Sequence, residues 1–170
     1  RNHSSAASDV YKRQMGILVG DTIYFDSYGG NDGRELWAHD TSNLSTWQVA
    51  DIDSNGFMSS LPGYFMEILV GDTIYFDADD GNDGRELWAH DTSNHSTWQV
   101  ADINSGGSSS PGQYMKILVG DTIYFSANDG NDYKEMWAHD TSNHSTWQVA
   151  DINNIGPVSY THLRAHETSE

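Results

Sequence analysis

The amino-acid sequence predicts an all-β fold made of three similar four-stranded antiparallel units. The first observation is an internal repeat, because GDTIYF recurs at 20–25, 71–76 and 120–125, at spacings of 51 and 49 residues. The second is that each copy holds short runs of β-branched and aromatic residues separated by turn formers. Units of about fifty residues that recur in phase indicate a repeat architecture.

Four strands follow one another in the middle copy. MEILV and TIYFDA are separated only by Gly71 and Asp72, which predicts a two-residue hairpin with glycine leading. ELWAH and STWQVADI come next, separated by residues 91–95, DTSNH, whose side chains can bond their own backbone in a turn. A linker rich in Gly, Ser and Pro follows, clearest at 104–114.

The apolar runs predict sheets that are covered on both faces. A sheet with one wet face alternates apolar and polar residues, whereas ILV and IYF are nearly continuous. Four-stranded blades stacked between neighbours meet this condition, and repeats of about fifty residues are typical of kelch-like blades. We therefore expect a partial, kelch-like β-propeller, with a β-sandwich of three meanders as the alternative. Propellers close with about four to eight blades, so we expect uncovered apolar faces of three blades to self-associate.

The composition excludes several classes of partner. The chain has 8 Lys and Arg against 25 Asp and Glu, a formal net charge of −17, and no cysteine. Because phosphate binding depends on clustered Lys and Arg, we expect no nucleic-acid partner. No apolar run reaches the roughly eighteen residues of a membrane-spanning helix, and we expect no membrane insertion.

The two ends of the chain do not match the repeat. SSAASDVYKRQ at 4–14 and VSYTHLRAHET at 158–168 resemble translated ends of a transposase adapter used in sequencing libraries. This resemblance implies non-native, disordered tails and a fragment of a longer protein. We accordingly divide the chain into tail, three repeats and tail, at 1–14, 15–63, 64–112, 113–156 and 157–170.

The third and fourth strands carry a recognisable signature. GRELWAHDTSN at 33–43 and 84–94, with KEMWAHDTSN at 134–143, resembles the ELWxxDGT repeat of prokaryotic extracellular proteins. Thr-Ser-Asn stands where that repeat has Gly-Thr, and Met136 stands in place of its leucine. The resemblance implies a secreted or cell-surface, propeller-like protein of adhesive or scaffolding function, and it supplies no catalytic residue.

One loop of the middle copy is a candidate calcium site. Calcium prefers clustered carboxylate oxygens, and DADDGND at 77–83 is the loop richest in them. The corresponding loops of the other two copies lose some of the acids, and a solvated polar hairpin is the alternative. The candidate ligands, with calcium as the candidate cofactor, are Asp77, Asp79, Asp83 and Glu86.

Histidine and tryptophan recur in every unit. His39, His90 and His139 each precede an Asp, which suggests a general base or zinc ligand, but neighbours along a strand point to opposite faces, and we expect surface histidines at strand ends. The six tryptophans, two per unit, predict packing between blades. A carbohydrate-stacking surface is the alternative, so a carbohydrate or a surface protein is the candidate ligand.

The repetition of every polar motif helps to distinguish a non-catalytic module from an enzyme. An active site needs an acid and a base in distinct environments, whereas every candidate group here recurs once per unit. The pattern favours a non-catalytic module. The alternative is a fragment of a propeller enzyme, such as a glycoside hydrolase, whose catalytic residues lie in other blades.

Overall fold

The computed structural model describes residues 14–30, 33–55, 58–131 and 133–152, and within them the protein is all-β, with no helix long and apolar enough to cross a membrane. Except for Gln14, the two predicted tails lie outside the described residues. Sheet 1 contains β1 (Gly16–Val19), β2 (Thr22–Tyr28), β3 (Arg34–Asp40) and β4 (Ser45–Ala50). Sheet 2 contains β5 (Glu67–Val70), β6 (Thr73–Asp79), β7 (Arg85–Asp91) and β8 (Ser96–Ala101). Sheet 3 contains β9 (Lys116–Val119), β10 (Thr122–Ala127), β11 (Glu135–Asp140) and β12 (Ser145–Ala150).

Each sheet is an antiparallel meander in which consecutive strands are neighbours. This confirms the prediction of three four-stranded antiparallel units. The first hairpin of sheet 2 turns as expected, because Val70 pairs with Thr73 across Gly71 and Asp72. Gly71 has a φ of +58°, a value that favours glycine at the leading position of such a turn.

The turn between the third and fourth strands is held by its own side chains. In sheet 2, Oδ1 of Asp91 accepts hydrogen bonds from the backbone N–H (2.8 Å) and the hydroxyl (2.6 Å) of Ser93. Oδ2 of Asp91 accepts one from the side-chain amide of Asn94 at 2.7 Å. These bonds hold His95 at a φ of +61°, in the left-handed region. The same arrangement recurs in the turns of sheets 1 and 3.

The three sheets pack face to face in chain order. Each sheet has a leading face, which carries the Ile and Phe of its second strand, and a trailing face, which carries the Tyr of that strand. The trailing face of sheet 1 and the leading face of sheet 2 form the first core, which includes Tyr24, Leu36, Ala38, Ile74, Phe76 and Ala78. The trailing face of sheet 2 and the leading face of sheet 3 form the second core, which includes Tyr75, Leu87, Ala89, Ile123, Phe125 and Ala127.

Among the three described sheets, sheet 2 has a neighbouring sheet on both faces. All residues from Ile74 to Ala78 are buried, although successive side chains of a strand point in opposite directions. The expectation of cover on both faces is therefore confirmed for sheet 2. Sheets 1 and 3 each present one face to a neighbouring sheet.

Candidate functional site

The structure does not bring the four candidate calcium ligands together. Asp77 pairs with Leu87, and Ala78 pairs with Glu86, so Asp77 and Glu86 lie on opposite faces of sheet 2. Among the described residues, no group of three or more His, Asp or Glu side chains is placed to hold a metal ion. Calcium binding by the loop stays a prediction, and each of the four residues has its own environment.

Asp77 is fully buried and already has a cation beside it. Nη1 of Arg85 lies 2.7 Å from Oδ2 of Asp77. Its Oδ1 accepts the backbone N–H groups of Phe65 at 2.8 Å and Met66 at 2.7 Å. Burial raises the pKa of Asp77, and the charge of Arg85 opposes that rise. Because hydrogen bonds and an ion pair satisfy this carboxylate, a calcium ion would have to displace Arg85 to bind it.

The acidic residues of the loop itself bond to the loop backbone. Oδ1 of Asp79 accepts the N–H of Gly81 at 2.9 Å. Oδ1 of Asp80 accepts the N–H groups of Asn82 at 2.9 Å and Asp83 at 2.8 Å. Asp83 is exposed. This arrangement agrees with the alternative of a polar hairpin, and it leaves some carboxylate oxygens facing solvent.

Glu86 holds the linker that follows its own sheet. Its Oε2 accepts the backbone N–H of Ile103 at 2.8 Å and the hydroxyl of Ser109 at 2.6 Å. Its Oε1 accepts the backbone N–H of Ser109 at 2.8 Å. Burial raises the pKa of Glu86, and the Ser109 hydrogen bonds oppose that rise. We call these contacts the glutamate clamp, since one carboxylate fixes both ends of a loop.

The glutamate clamp recurs in the first unit, and the described part of the third unit repeats its first contact. Glu35 accepts the N–H of Ile52 at 2.8 Å, and the N–H (3.1 Å) and hydroxyl (2.6 Å) of Ser60. Glu135 accepts the N–H of Ile152 at 2.6 Å. Sequence reasoning missed this role and assigned Glu86 to the calcium loop. A Glu that recurs inside an otherwise apolar strand, with a recurrent Ser before the linker proline, was the available signal.

A second recurrent contact ties each linker to the following sheet. The guanidinium of Arg85 donates to the backbone carbonyls of Ser60 at 3.2 Å and Leu61 at 2.9 Å. Directly before β11, Lys134 donates to the carbonyls of Ser109 and Ser110, both at 3.0 Å. Where Lys replaces Arg, Ser126 replaces Asp77, so the buried ion pair is absent from that position and the contact to the linker remains.

Two of the three histidines that recur at strand ends, His39, His90 and His139, are buried, so the expectation of surface histidines was wrong for those two. His90 and His139 are 0 % and 1 % exposed. The ring of Tyr24 in sheet 1 packs on His90 at 5.3 Å between centroids, and the ring of Tyr75 in sheet 2 packs on His139 at 5.2 Å. A strand end faces solvent only if no neighbouring sheet covers it, and here the preceding sheet does so.

The buried histidines are neutral. Nδ1 of His90 is 2.9 Å from Oγ1 of Thr97, and Nδ1 of His139 is 2.9 Å from Oγ1 of Thr146. Nε2 of both rings is buried without a hydrogen-bond partner. Burial lowers the pKa of both side chains to about 4. A neutral imidazole shielded by a tyrosine ring acts as a packing element.

The tryptophans are divided between sheet packing and partial exposure. Trp88 packs against the first core, and Trp98 and Trp137 pack against the second, which confirms packing between sheets for these three. Trp47 and Trp147 are exposed over more than a third of their surface. Those two are the exposed tryptophans of the chain.

Neither the models of known protein families nor the curated proteins contain a match to this chain. The similarity to the ELWxxDGT repeat therefore rests on the quoted residues.

Proposed function

We propose that this chain is a non-catalytic part of a secreted or cell-surface repeat protein, in which its sheets are successive blades of a propeller-like array. Three four-stranded antiparallel sheets, each made from consecutive strands, pack face to face in chain order. A unit of about fifty residues with this arrangement is consistent with kelch-like blades. The role that fits such a module is adhesion or scaffolding.

One observation carries the non-catalytic part of the proposal: the recurrent polar residues have structural partners. Glu86 holds a linker, and Arg85 pairs with Asp77 and binds another linker. His90 is neutral and packed against a tyrosine. A catalytic acid or base must reach a substrate proton, whereas these groups are buried and hydrogen-bonded or packed.

The extracellular part of the proposal rests on the signature GRELWAHDTSN and on the acidity of the chain. A net charge of −17 keeps a protein soluble and disfavours nucleic acids and anionic membranes. A carbohydrate or a surface protein is the ligand class that fits, with Trp47 as an exposed aromatic side chain on which a sugar ring can stack. Calcium is the candidate stabilising ion.

The experiment compares binding and hydrolysis by the same protein. Beads coated with the full chain are tested for retention on immobilised glycans and on extracellular matrix proteins, and the soluble chain is tested against a panel of aryl glycosides. Retention without hydrolysis is expected. Hydrolysis of any glycoside by the chain would contradict the non-catalytic proposal. A chain that is retained on none of the surfaces would contradict the adhesive role. Trp47→Ala tests sugar stacking, and Leu44→Ala is its matched control, since both side chains are exposed.

A further inference from the structure

Within the described residues, two sheet faces have no sheet against them: the leading face of sheet 1 and the trailing face of sheet 3. The difference is visible at one repeated position of the leading face. Ile23 in sheet 1 is 37 % exposed, whereas its counterparts Ile74 and Ile123 are 0 % exposed. The sequence at this position is the same in all three units, and the missing neighbour accounts for the exposure.

The trailing face of sheet 3 is exposed in the same way. Ile117, Val119, Trp147 and Val149 are all exposed there, and Val149 is 40 % exposed. Their counterparts in sheet 2 pack against the second core; they are Ile68, Val70, Trp98 and Val100. The outermost faces thus carry the two halves of a contact that the molecule already makes twice internally.

A ring contact marks both internal junctions. Tyr24 packs on His90 at 5.3 Å and 47°, and Tyr75 packs on His139 at 5.2 Å and 49°. The near identity of these values shows that the junctions share one geometry. The series has two unmatched ends, which are Tyr124 on the trailing face of sheet 3 and His39 on the leading face of sheet 1.

We propose that a second copy of this chain docks head to tail, with the leading face of its sheet 1 on the trailing face of sheet 3 of the first copy. His39 of one copy then packs on Tyr124 of the other, as His90 and His139 pack internally. The internal junctions support this docking, because the residues of the two free faces are those that pair at the internal junctions. The docking does not depend on the adhesive role.

The proposed contact is heterologous, because two different faces meet. Such contacts give closed rings when the rotation closes and open chains when it does not. A closed ring of two copies, joined at two junctions, would hold six sheets. An open assembly of more copies would keep one free face at each end. Since each copy carries a net charge of −17, screening by salt should strengthen association.

A pair of complementary variants tests the direction of docking. Ile23→Glu places a charge on the leading face and leaves the trailing face intact, whereas Val149→Glu does the reverse. We expect the wild-type chain to associate, each variant alone to be monomeric, and an equimolar mixture to form a heterodimer with one junction. Light scattering coupled to size exclusion measures all four samples. Leu44→Glu, at a turn residue that is 76 % exposed, is the control that should associate like the wild type.

Each other outcome overturns the proposal. A wild-type chain that stays monomeric up to millimolar concentration shows that a second copy does not cover these faces. Variants that still self-associate show that another surface is responsible. A mixture that stays monomeric excludes head-to-tail pairing, provided that circular dichroism shows both variants folded. If either variant is unfolded, Ile23→Thr and Val149→Thr replace the pair, with weaker self-association and recovery on mixing as the expected result.

The ring contact gives a second test of geometry. Because the chain has no cysteine, single cysteines introduced by His39→Cys and Tyr124→Cys are the sole thiols present. A short bis-maleimide should join the mixture into a heterodimer and leave each variant alone mostly uncrosslinked. Equal crosslinking of the single variants with themselves would contradict the proposed register.

Discussion

Removing the carboxylate of Glu86 should destabilise the fold far more than removing that of Glu67, which is only half-buried. In Glu86→Ala, the N–H groups of Ile103 and Ser109 and the hydroxyl of Ser109 lose their acceptor. A buried donor left unpaired costs roughly 1–3 kcal/mol. The two buried donors of Ser109 predict a loss of about 2–6 kcal/mol in the free energy of unfolding, and the part-buried N–H of Ile103 adds to it. This is a large share of the roughly 5–15 kcal/mol of a typical domain.

Glu86→Gln separates the hydrogen bonds from the shape of the side chain. Glutamine keeps one acceptor oxygen but presents an amide N–H₂ to donors, so we expect a loss of about 1–3 kcal/mol. The amide also avoids burying a charge, which is the effect that raises the pKa of Glu86. The loss for glutamine should therefore be clearly smaller than the loss for alanine.

The assay is urea unfolding at pH 7 followed by tryptophan fluorescence. Glu67→Ala is the matched control, because the carboxylate of Glu67 accepts an exposed hydrogen bond from the N–H of Gly16, and we expect its loss to stay below about 1 kcal/mol. Hydrogen exchange of the Ile103 and Ser109 amides reports the linker directly, and both should exchange faster in Glu86→Ala. If Glu86→Ala lowers the free energy of unfolding no more than Glu67→Ala does, or if those two amides keep their protection, Glu86 does not hold the linker.

Three further predictions follow from the packing of the repeats. Burial lowers the pKa of His90 to about 4 in the folded chain, against about 6.5 in the unfolded chain. Both states are neutral above about pH 6.5, and as the pH falls toward 4 the unfolded state binds the proton first, which lowers the free energy of unfolding by up to about 3 kcal/mol. Urea titrations should therefore show a smaller pH dependence in His90→Asn than in the wild type. Gly84→Ala should lower the melting temperature more than Gly71→Ala. Both glycines have a positive φ, but a Cβ on Gly84 would lie 2.8 Å from the backbone N of Ser108, whereas a Cβ on Gly71 would meet nothing within 4 Å. Equal melting temperatures would contradict that contact. If the loop at 77–83 binds calcium, free calcium at a hundred times its Kd should stabilise the chain by about 2.7 kcal/mol. Melting curves that superimpose with calcium and with chelator would show that the loop does not bind calcium.

Local sequence was sufficient for the sheets. Each strand pairs with the next one along the chain, and the turns are made by residues such as Gly71 and Asp91 that shape the backbone around them. Such contacts span few residues, so propensity and turn chemistry predict them without knowledge of the rest of the fold. The repeat then predicted the same sheet three times.

Contacts between the units were beyond the reach of the sequence pattern. From the sequence, Glu86 is interpreted as an acid of the loop, because its partners in the linker lie 17 and 23 residues further along the chain. The sequence predicts that His90 is a surface residue at a strand end, whereas in the structure Tyr24 of the preceding sheet covers it. The neighbouring sheet also decides whether the same isoleucine is buried, as Ile74 is, or exposed, as Ile23 is. Short-range propensity determined the strands and turns of this protein, and only the stacking of one sheet on another decided which of its polar and apolar side chains are enclosed, because burial depends on what lies across a face rather than on what lies along the chain.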